Sequence, residues 1–180
     1  MNTLEKLNTT LDNGGASTEE ALKFFDELES VNLEFMMGRW QGFEFPTNHP
    51  MNGLLETSGW YGKEFVDTEK VHPLLFSDGN KNIFKVDPNP IAMNLGLRLP
   101  ILKSKAMKPI FSLMNLMLKT EKSHARIRMM EYRQKVSATM IYDNLPINDI
   151  FRKIDDNTVL GLMDFKGVSQ PFFFVLKRDI

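Results

Sequence analysis

Apolar and polar side chains alternate with a period of two in many parts of this chain, and this feature restricts its fold most. Such alternation is typical of a β-strand with one buried face. About eight short strands at meander spacing favour an antiparallel barrel or a strongly curved sheet, because closure removes exposed edges. A slip in the alternation at Met129 and Met130 predicts a β-bulge. The predicted strands span residues 35–45, 59–66, 82–86, 125–129, 136–142, 148–154, 158–165 and 170–178.

Two segments show the three- and four-residue apolar spacing of a helix. The first follows a capping box, in which Ser17 and Glu20 satisfy free amides, and predicts a helix at about 18–30. The second lies at about 106–118, in a stretch of 89–119 that prolines divide into short pieces. We therefore predict an α+β protein, mainly an antiparallel β-barrel-like sheet, with an N-terminal helix and a helical insert.

Composition excludes several classes of function. Among 180 residues there is no Cys, which excludes disulfides, thiolate metal sites and a cysteine nucleophile. The net charge of −1 argues against a dedicated nucleic-acid-binding protein. Neither a G-x-S-x-G elbow nor a glycine-rich phosphate loop is present, and no apolar run approaches the ~20 residues of a membrane span. The N-terminus also lacks the apolar core of a signal peptide. We expect a cytoplasmic protein that binds no cofactor and no metal.

The charges are distributed unevenly along the chain. Residues 1–96 carry 7 basic and 15 acidic side chains, a net charge of −8, whereas residues 97–135 carry 10 basic and 2 acidic side chains, a net charge of +8. The basic segment either pairs with the acidic half or faces an anionic membrane surface or a protein partner. We favour pairing within the chain. The lysines that flank the second predicted helix are Lys103, Lys105, Lys108 and Lys119.

A tryptophan between two glycines is the most informative local feature. In a strand, Gly38, Trp40 and Gly42 point to the same face, so the flanks of the indole are bare. Two interpretations follow. Trp40 fills the closed end of a barrel while the glycines relieve strand bending, or the bare flanks admit a ligand. We favour the first.

Several motifs together resemble the GXWXG family, whose members are mostly bacterial proteins without a settled activity. The motifs are GRWQG at 38–42, PTNHP at 46–50, GWYGK at 59–63 and VHPLLF at 71–76. The resemblance implies a C-terminal domain of unknown function, which is similar to residues 128–132, 136–146 and 161–176. At the level of the fold, the chain is similar to the lipocalin and nitrobindin-like barrels. That similarity implies that a basic residue of the last strand, Lys177 or Arg178, covers Trp40.

The chain is therefore expected to form one structural unit with four successive parts. These are a flexible arm at 1–16, the GXWXG region at 17–88, a helical insert or lid at 89–119, and a C-terminal antiparallel meander at 120–180.

Polar candidates for a site are few. His49 and His72 precede prolines, which favours loop positions, and none of the three histidines has the spacing of a helical metal pair. His49 is the best of them, because its loop leaves the GXWXG strand. Glu131 and Arg133 share a strand face; an inward face makes them a buried polar pair, and an outward face, which we favour, makes them solvated charges. Tyr132 and Tyr142 add hydroxyl groups to apolar faces.

Twelve methionines suit either a methionine-filled core or an adaptable apolar pocket. We predict a binding protein for a small, mostly apolar molecule, lipid-like or aromatic, in a barrel cavity. The alternatives are an enzyme that uses Glu131 or His49 in proton transfer on such a molecule, and an interaction module that uses the basic segment at a lipid surface or on a protein. The predicted ligand contacts are Trp40, His49, Trp60, Met114, Met130, Tyr132, Arg133 and Tyr142.

Overall fold

The computed structural model describes residues 2–78, 82–88 and 104–180, and its sheet closes on itself. Eight long strands pair in the cyclic order β8-β7-β6-β4-β3-β2-β10-β9, and β9 pairs again with β8. Every pairing is antiparallel, which confirms the predicted barrel. The strands are β1 Glu29–Ser30, β2 Gly38–Glu44, β3 Trp60–Phe65, β4 Val71–Ser77, β5 Ile83–Lys85, β6 Ala125–Tyr132, β7 Lys135–Tyr142, β8 Ile147–Asp155, β9 Thr158–Phe165 and β10 Phe172–Arg178.

The contact between β4 and β6 is the narrowest in the barrel. Only Val71 and Ala125 are paired in register. Two backbone bonds flank that pair, from His124 N to the Val71 carbonyl at 3.2 Å and from Ile127 N to the Thr68 carbonyl at 3.0 Å. The two short strands extend the sheet outside the ring, since β1 pairs with β8 and β5 with β4.

The helices pack on two separate hydrophobic cores. They are α1 Thr3–Asp12, α2 Thr18–Glu27, α3 Leu33–Met36, α4 Leu54–Ser58 and α5 Lys108–Met117, the last preceded by a 3-10 helix at Lys105–Met107. Leu7 of α1 and Phe24 and Phe25 of α2 pack on the outward side chains of β8, β9 and β10 and form an outer core. The other three helices contact the core inside the barrel.

The N-terminus differs from the prediction of a flexible arm at 1–16, which is wrong. Asn2 and Glu5 form a capping box, so α1 starts at Thr3, and its Leu7 is completely buried. The capping box of α1 is of the same kind as the one at Ser17. The apolar face of α1 is weaker, because it consists only of leucines among polar residues. This face packs against the outside of the barrel.

Strand boundaries differ from the prediction at other places as well. Residues before Gly38 form α3 instead of extending β2, and β4 contains both His72 and Pro73, so His72 is not a loop residue. No bulge occurs in β6, where pairing with β7 is regular from Ala125 to Tyr132. Residues 89–103 of the predicted insert lie outside the described residues.

The turn between β6 and β7 corrects the predicted strand face of Glu131 and Arg133. Arg133 and Gln134 have φ of 50° and 63°, so they form a two-residue hairpin turn and Arg133 is not in the strand. Glu131 is exposed. Arg133 pairs with Asp26 of α2 at 2.6 Å, which makes it a surface charge.

Trp40 packs in the core inside the barrel, next to α3. Its side chain is completely buried, and its Nε1 donates to the carbonyl of Met36 at 2.8 Å. The guanidinium of Arg178 lies 4.2 Å from the ring centroid and donates to the carbonyls of Met37 and Phe35. A basic residue of the last strand therefore covers this tryptophan, as the barrel similarity implied.

Gly42, the last glycine of the motif, makes room for a second tryptophan. A Cβ atom at this position would overlap the six-membered ring of Trp60. The ring of Trp60 thus occupies the space of the missing side chain, and its edge contacts Phe174 with centroids 5.9 Å apart. The glycine therefore serves an interior contact and not bending of the strand alone.

Replacing Gly42 with Ala is expected to lower the free energy of unfolding by about 1–3 kcal/mol, because the added methyl group overpacks the core. Chemical denaturation of the purified variants measures this change. In a Trp60→Phe background, where the six-membered ring of the indole is gone, the same substitution is expected to cost at least about 1 kcal/mol less. An equal cost in both backgrounds would show that the two residues do not compete for one space.

Candidate functional site

An ion pair lies inside the barrel. Lys63 of β3 and Asp149 of β8 place Nζ and Oδ2 2.8 Å apart, and their side chains are 4% and 1% exposed. Nζ also donates to the carbonyl of Pro73 at 3.2 Å. Removing two charges from water costs free energy unless their geometry is good. The pair therefore distinguishes this part of the interior from the apolar core around it.

A break in the regular pairing brings this lysine inside. Trp60 and Lys63 are three residues apart, so regular alternation would point them to opposite faces. Register shifts on both sides of Gly62 turn both side chains inward. Gly62 has a φ of 153°, and a Cβ there would overlap the carbonyl oxygen of Trp40. Only glycine fits this approach.

Proline on the neighbouring strand suits the same irregularity. Pro73 lies in β4 between His72, which pairs with Glu64, and Leu75, which pairs with Gly62. A proline cannot donate to a ladder and is confined to edges and bulges within sheets. Because the pairing of β3 with β4 is irregular here, the carbonyl of Pro73 is available to accept a hydrogen bond from Lys63 Nζ.

Aromatic rings surround the ammonium group of Lys63. Nζ lies 5.5 Å from the ring centroid of Trp60, 5.7 Å from that of Tyr142 and 5.1 Å from that of Phe174. Rings at such distances attract a cation through their negative faces. The lysine is thus held by one carboxylate, one carbonyl and three rings.

Two buried polar atoms of this cluster have no hydrogen-bond partner among the described residues. They are Oδ1 of Asp149 and Nε1 of Trp60. The first is an acceptor and the second a donor. Buried polar groups almost always have partners, so these two atoms keep unused hydrogen-bonding capacity inside the cluster.

Burial sets the protonation of the acidic groups here. Burial raises the pKa of Asp149, and the nearby ammonium of Lys63 opposes that rise. Burial also raises the pKa of Tyr142 well above its usual value, and the charge of Asp149 adds to the rise. Tyr142 is therefore a neutral hydroxyl group at physiological pH.

The walls around the pair are apolar. Asp149 lies in register with Met140 on one side and with Met163 on the other. Phe151, the next inward residue of β8, contacts both Phe65 and Phe174 edge-on. The interior therefore combines one charged pair with flexible methionines and aromatic edges.

A cleft on the outside reaches this cluster at Trp60. Its volume is about 440 Å³, and it lies between β2 and α4. Glu44 is on its wall; burial raises the pKa of this carboxyl group although it accepts from the amides of Gly53 and Leu55 at the start of α4. The cleft is lined by Gly42, Phe43, Glu44, Pro46, Leu55, Glu56 and Trp60.

The structure brings only part of the predicted ligand contacts together. Trp60 and Tyr142 both contact Lys63, and Trp40 is the register partner of Lys63 on β2. Met130 is half-buried in β6, which lies elsewhere in the ring, and Tyr132 packs against the outer core.

His49 is buried in the loop after β2, and main-chain groups contact both of its ring nitrogens. Nε2 lies 3.1 Å from the carbonyl of Gln170, and Nδ1 lies 3.0 Å from the amide nitrogen of Met51. This arrangement fixes the loop. Among residues 2–78, 82–88 and 104–180, no cluster of three or more metal-ligating side chains is found.

α5 divides the predicted apolar stripe of the insert between two faces. Met107, Phe111 and Leu118 pack against the barrel core, and Asn115 donates to the carbonyl of Ser58 in α4 at 3.0 Å. Met114 is half-buried. The opposite face exposes Ile110, Leu113, Leu116 and Met117. Contact of this face with a membrane surface stays the alternative that the sequence does not favour. None of the helices in the described ranges has the length and apolarity needed to cross a bilayer.

Lys63 and Asp149 are not among the predicted contacts. The sequence does hold one signal, a glycine directly before a lysine in a predicted strand, at 62 and 63. A glycine inside a strand often marks a bulge, and a bulge reverses the face of the next residue.

Comparisons with known proteins give a family and no activity. A family model described as GXWXG protein matches residues 23–81, and one described as Domain of unknown function (DUF4334) matches residues 123–178. A solved structure described as "Crystal structure of protein from Thermomonospora curvata" is 30% identical, and the match covers 100% of each chain with a TM-score of 0.71. No curated protein matches the sequence.

Removing one partner of the interior pair is expected to be costly. Lys63→Met leaves the carboxylate of Asp149 buried without a counter-charge, so the free energy of unfolding should fall by about 3–5 kcal/mol. The double variant Lys63→Met/Asp149→Leu should be less destabilised than Lys63→Met, since it buries no charge. Denaturant unfolding of the three proteins measures both effects.

A surface pair provides the matched control. The side chains of Arg133 and Asp26 are 39% and 37% exposed. Arg133→Met breaks this ion pair and should lower the free energy of unfolding by no more than about 1 kcal/mol. A loss at Lys63 as small as the loss at Arg133 would contradict the interior position of the pair.

The raised pKa of Tyr142 predicts a stability change at alkaline pH. In the unfolded chain the phenol releases its proton near its ordinary value of 10.0, whereas in the folded chain it keeps the proton. The folded state therefore loses stability as the pH rises above about 10. Tyr142→Phe removes this contribution, so the variant should lose less stability than the wild type between about pH 9 and 11.

Denaturation midpoints at several pH values give the measurement. Tyr61→Phe provides the comparison: burial and the hydrogen bond that its hydroxyl donates to Asp179 at 2.9 Å also raise the pKa of Tyr61, but less than that of Tyr142, so this variant should show the smaller change. A pH dependence that is the same in Tyr142→Phe and in the wild type would show that the phenol does not stay protonated.

Proposed function

We propose that this chain, a member of the GXWXG family in which a DUF4334 domain follows the motif, binds a small, mostly apolar molecule inside its barrel. One observation carries the proposal. Oδ1 of Asp149 and Nε1 of Trp60 are buried in apolar surroundings without a partner among the described residues. A bound molecule with a polar group supplies such partners, and binding pockets characteristically combine apolar walls with a few polar anchors.

The character of the walls supports the same proposal. Met140 and Met163 flank Asp149 in the sheet, and methionine adapts its shape to what it contacts. Trp60, Tyr142 and Phe174 add flat apolar surfaces around the ion pair. These surfaces suit an aromatic or lipid-like molecule.

The cleft beside Trp60 is the proposed entrance. Trp60 lines the cleft on one side and the interior cluster on the other, so a rotation of its indole would join the two. The indole can occupy its place between the two only because Gly42 carries no side chain. A cytoplasmic location is part of the proposal and is supported by the absence of cysteine.

A binding experiment with a neutral aromatic probe tests the proposal. Purified protein is titrated with 1-aminoanthracene, and native mass spectrometry of the same protein detects any small molecule that co-purified with it. We expect saturable binding with a stoichiometry of one, accompanied by quenching of tryptophan fluorescence.

Two methionine variants locate the binding position. Met140→Ala changes the interior wall and should weaken binding at least about fivefold, a change of roughly 1 kcal/mol. Met117→Ala is the control, because Met117 is 79% exposed on the outer face of α5, and it should leave the affinity unchanged. Absence of saturable binding, or equal effects of the two variants, would contradict an interior site.

A further inference from the structure

We infer that the interior site selects a neutral molecule with a hydroxyl group, an alcohol or a phenol, over the corresponding carboxylate. The inference deepens the proposed function and rests on it. It names the chemistry of the polar end of the ligand, which the apolar walls do not determine.

The charge balance of the interior gives the first step. Among the described residues, the buried acidic and basic side chains are His49, Lys63, His72, Asp149 and Arg152. Main-chain groups contact both ring nitrogens of His49 in its loop. Arg152 lies in the outer core, with its guanidinium 5.0 Å from the ring centroid of Phe25. The pKa of His72 is lowered by burial, which favours its neutral form.

Lys63 and Asp149 thus neutralise each other, and a charged ligand would enter without a counter-charge. Burying an unpaired charge is far more costly than burying a neutral polar group. The interior therefore disfavours an anion on grounds of charge alone.

The engagement of Lys63 gives the second step. Its ammonium group already donates to Asp149 Oδ2 and to the carbonyl of Pro73, and the rings of Trp60, Tyr142 and Phe174 surround it. An ammonium group has three protons. A carboxylate ligand would have to displace Asp149 to obtain its cation, and this would leave Asp149 buried and unpaired.

The open hydrogen-bonding positions give the third step. Oδ1 of Asp149 needs a donor, and Nε1 of Trp60 needs an acceptor. A hydroxyl group is both a donor and an acceptor, so one such ligand serves either atom. A carboxylate only accepts, and it would face the like charge of Asp149.

Three probes of the same shape test the selection in the wild-type protein. They are naphthalene, 2-naphthol and 2-naphthoate, titrated at neutral pH and followed by tryptophan fluorescence and calorimetry. We expect 2-naphthol to bind at least about tenfold more tightly than the other two, because hydrogen bonds to charged groups are the strong ones.

The possible failures are distinguishable. Binding of naphthalene or 2-naphthoate as tight as that of 2-naphthol overturns this inference and leaves the proposed function standing. Absence of binding for all three probes overturns both.

A charge-removing variant tests the role of Asp149 directly. Asp149→Asn leaves Lys63 without its counter-charge, so the affinity ratio of 2-naphthol to 2-naphthoate should fall by at least about tenfold. The ratio within each variant is compared, so a general loss of stability cancels. Asp164→Asn, on the half-buried outer side of β9, is the matched control and should leave the ratio unchanged. Equal ratios in the two variants would overturn the inference. The wild-type comparison of the three probes decides the matter if Asp149→Asn does not fold.

Discussion

The interior ion pair is the constraint around which the rest of the barrel is arranged. Burial of a lysine and an aspartate removes the hydration of two charges, and a contact at 2.8 Å compensates only when the remaining atoms also find partners. Lys63 has such partners, since the carbonyl of Pro73 and three aromatic rings surround its ammonium group. Asp149 does not have them all, because Oδ1 has no partner in the described part of the chain. This asymmetry between the two residues is the observation that supports the proposed binding site.

The family motif can be understood as the packing that this pair requires. Trp40 is completely buried in the interior core and is covered by the guanidinium of Arg178. Gly42 admits the ring of Trp60, and Gly62 passes close under the carbonyl of Trp40, which turns Lys63 inward. The glycines therefore do not act as flexible points. Each is the position at which another residue takes the space of a side chain.

The sequence predicts the barrel because its periodicity records which face of each strand is buried. For strands with a regular pattern, such as β8, β9 and β10, the predicted bounds agree with the structure within about two residues. The pattern misses β4, because Pro73 reads as a strand breaker and nothing local shows that a bulge on β3 accommodates it. The site is harder to predict. Both faces of β8 are buried, and each face carries a buried charge, Asp149 on one and Arg152 on the other. The sequence pattern therefore does not tell which of the two charges points into the barrel.

The two halves of the ion pair are held by different means. Asp149 belongs to β8, whose outer side is covered by α1 and α2, so its position is determined by two packed cores. Lys63 belongs to β3, whose pairing with β4 is irregular, and β4 itself is joined to β6 by a single pair in register. Irregular pairing and few cross-strand bonds are typical of regions that open at low free-energy cost. In the proposed function the carboxylate is therefore the fixed anchor, and the lysine with its neighbouring Trp60 is the side that would adjust to a bound molecule.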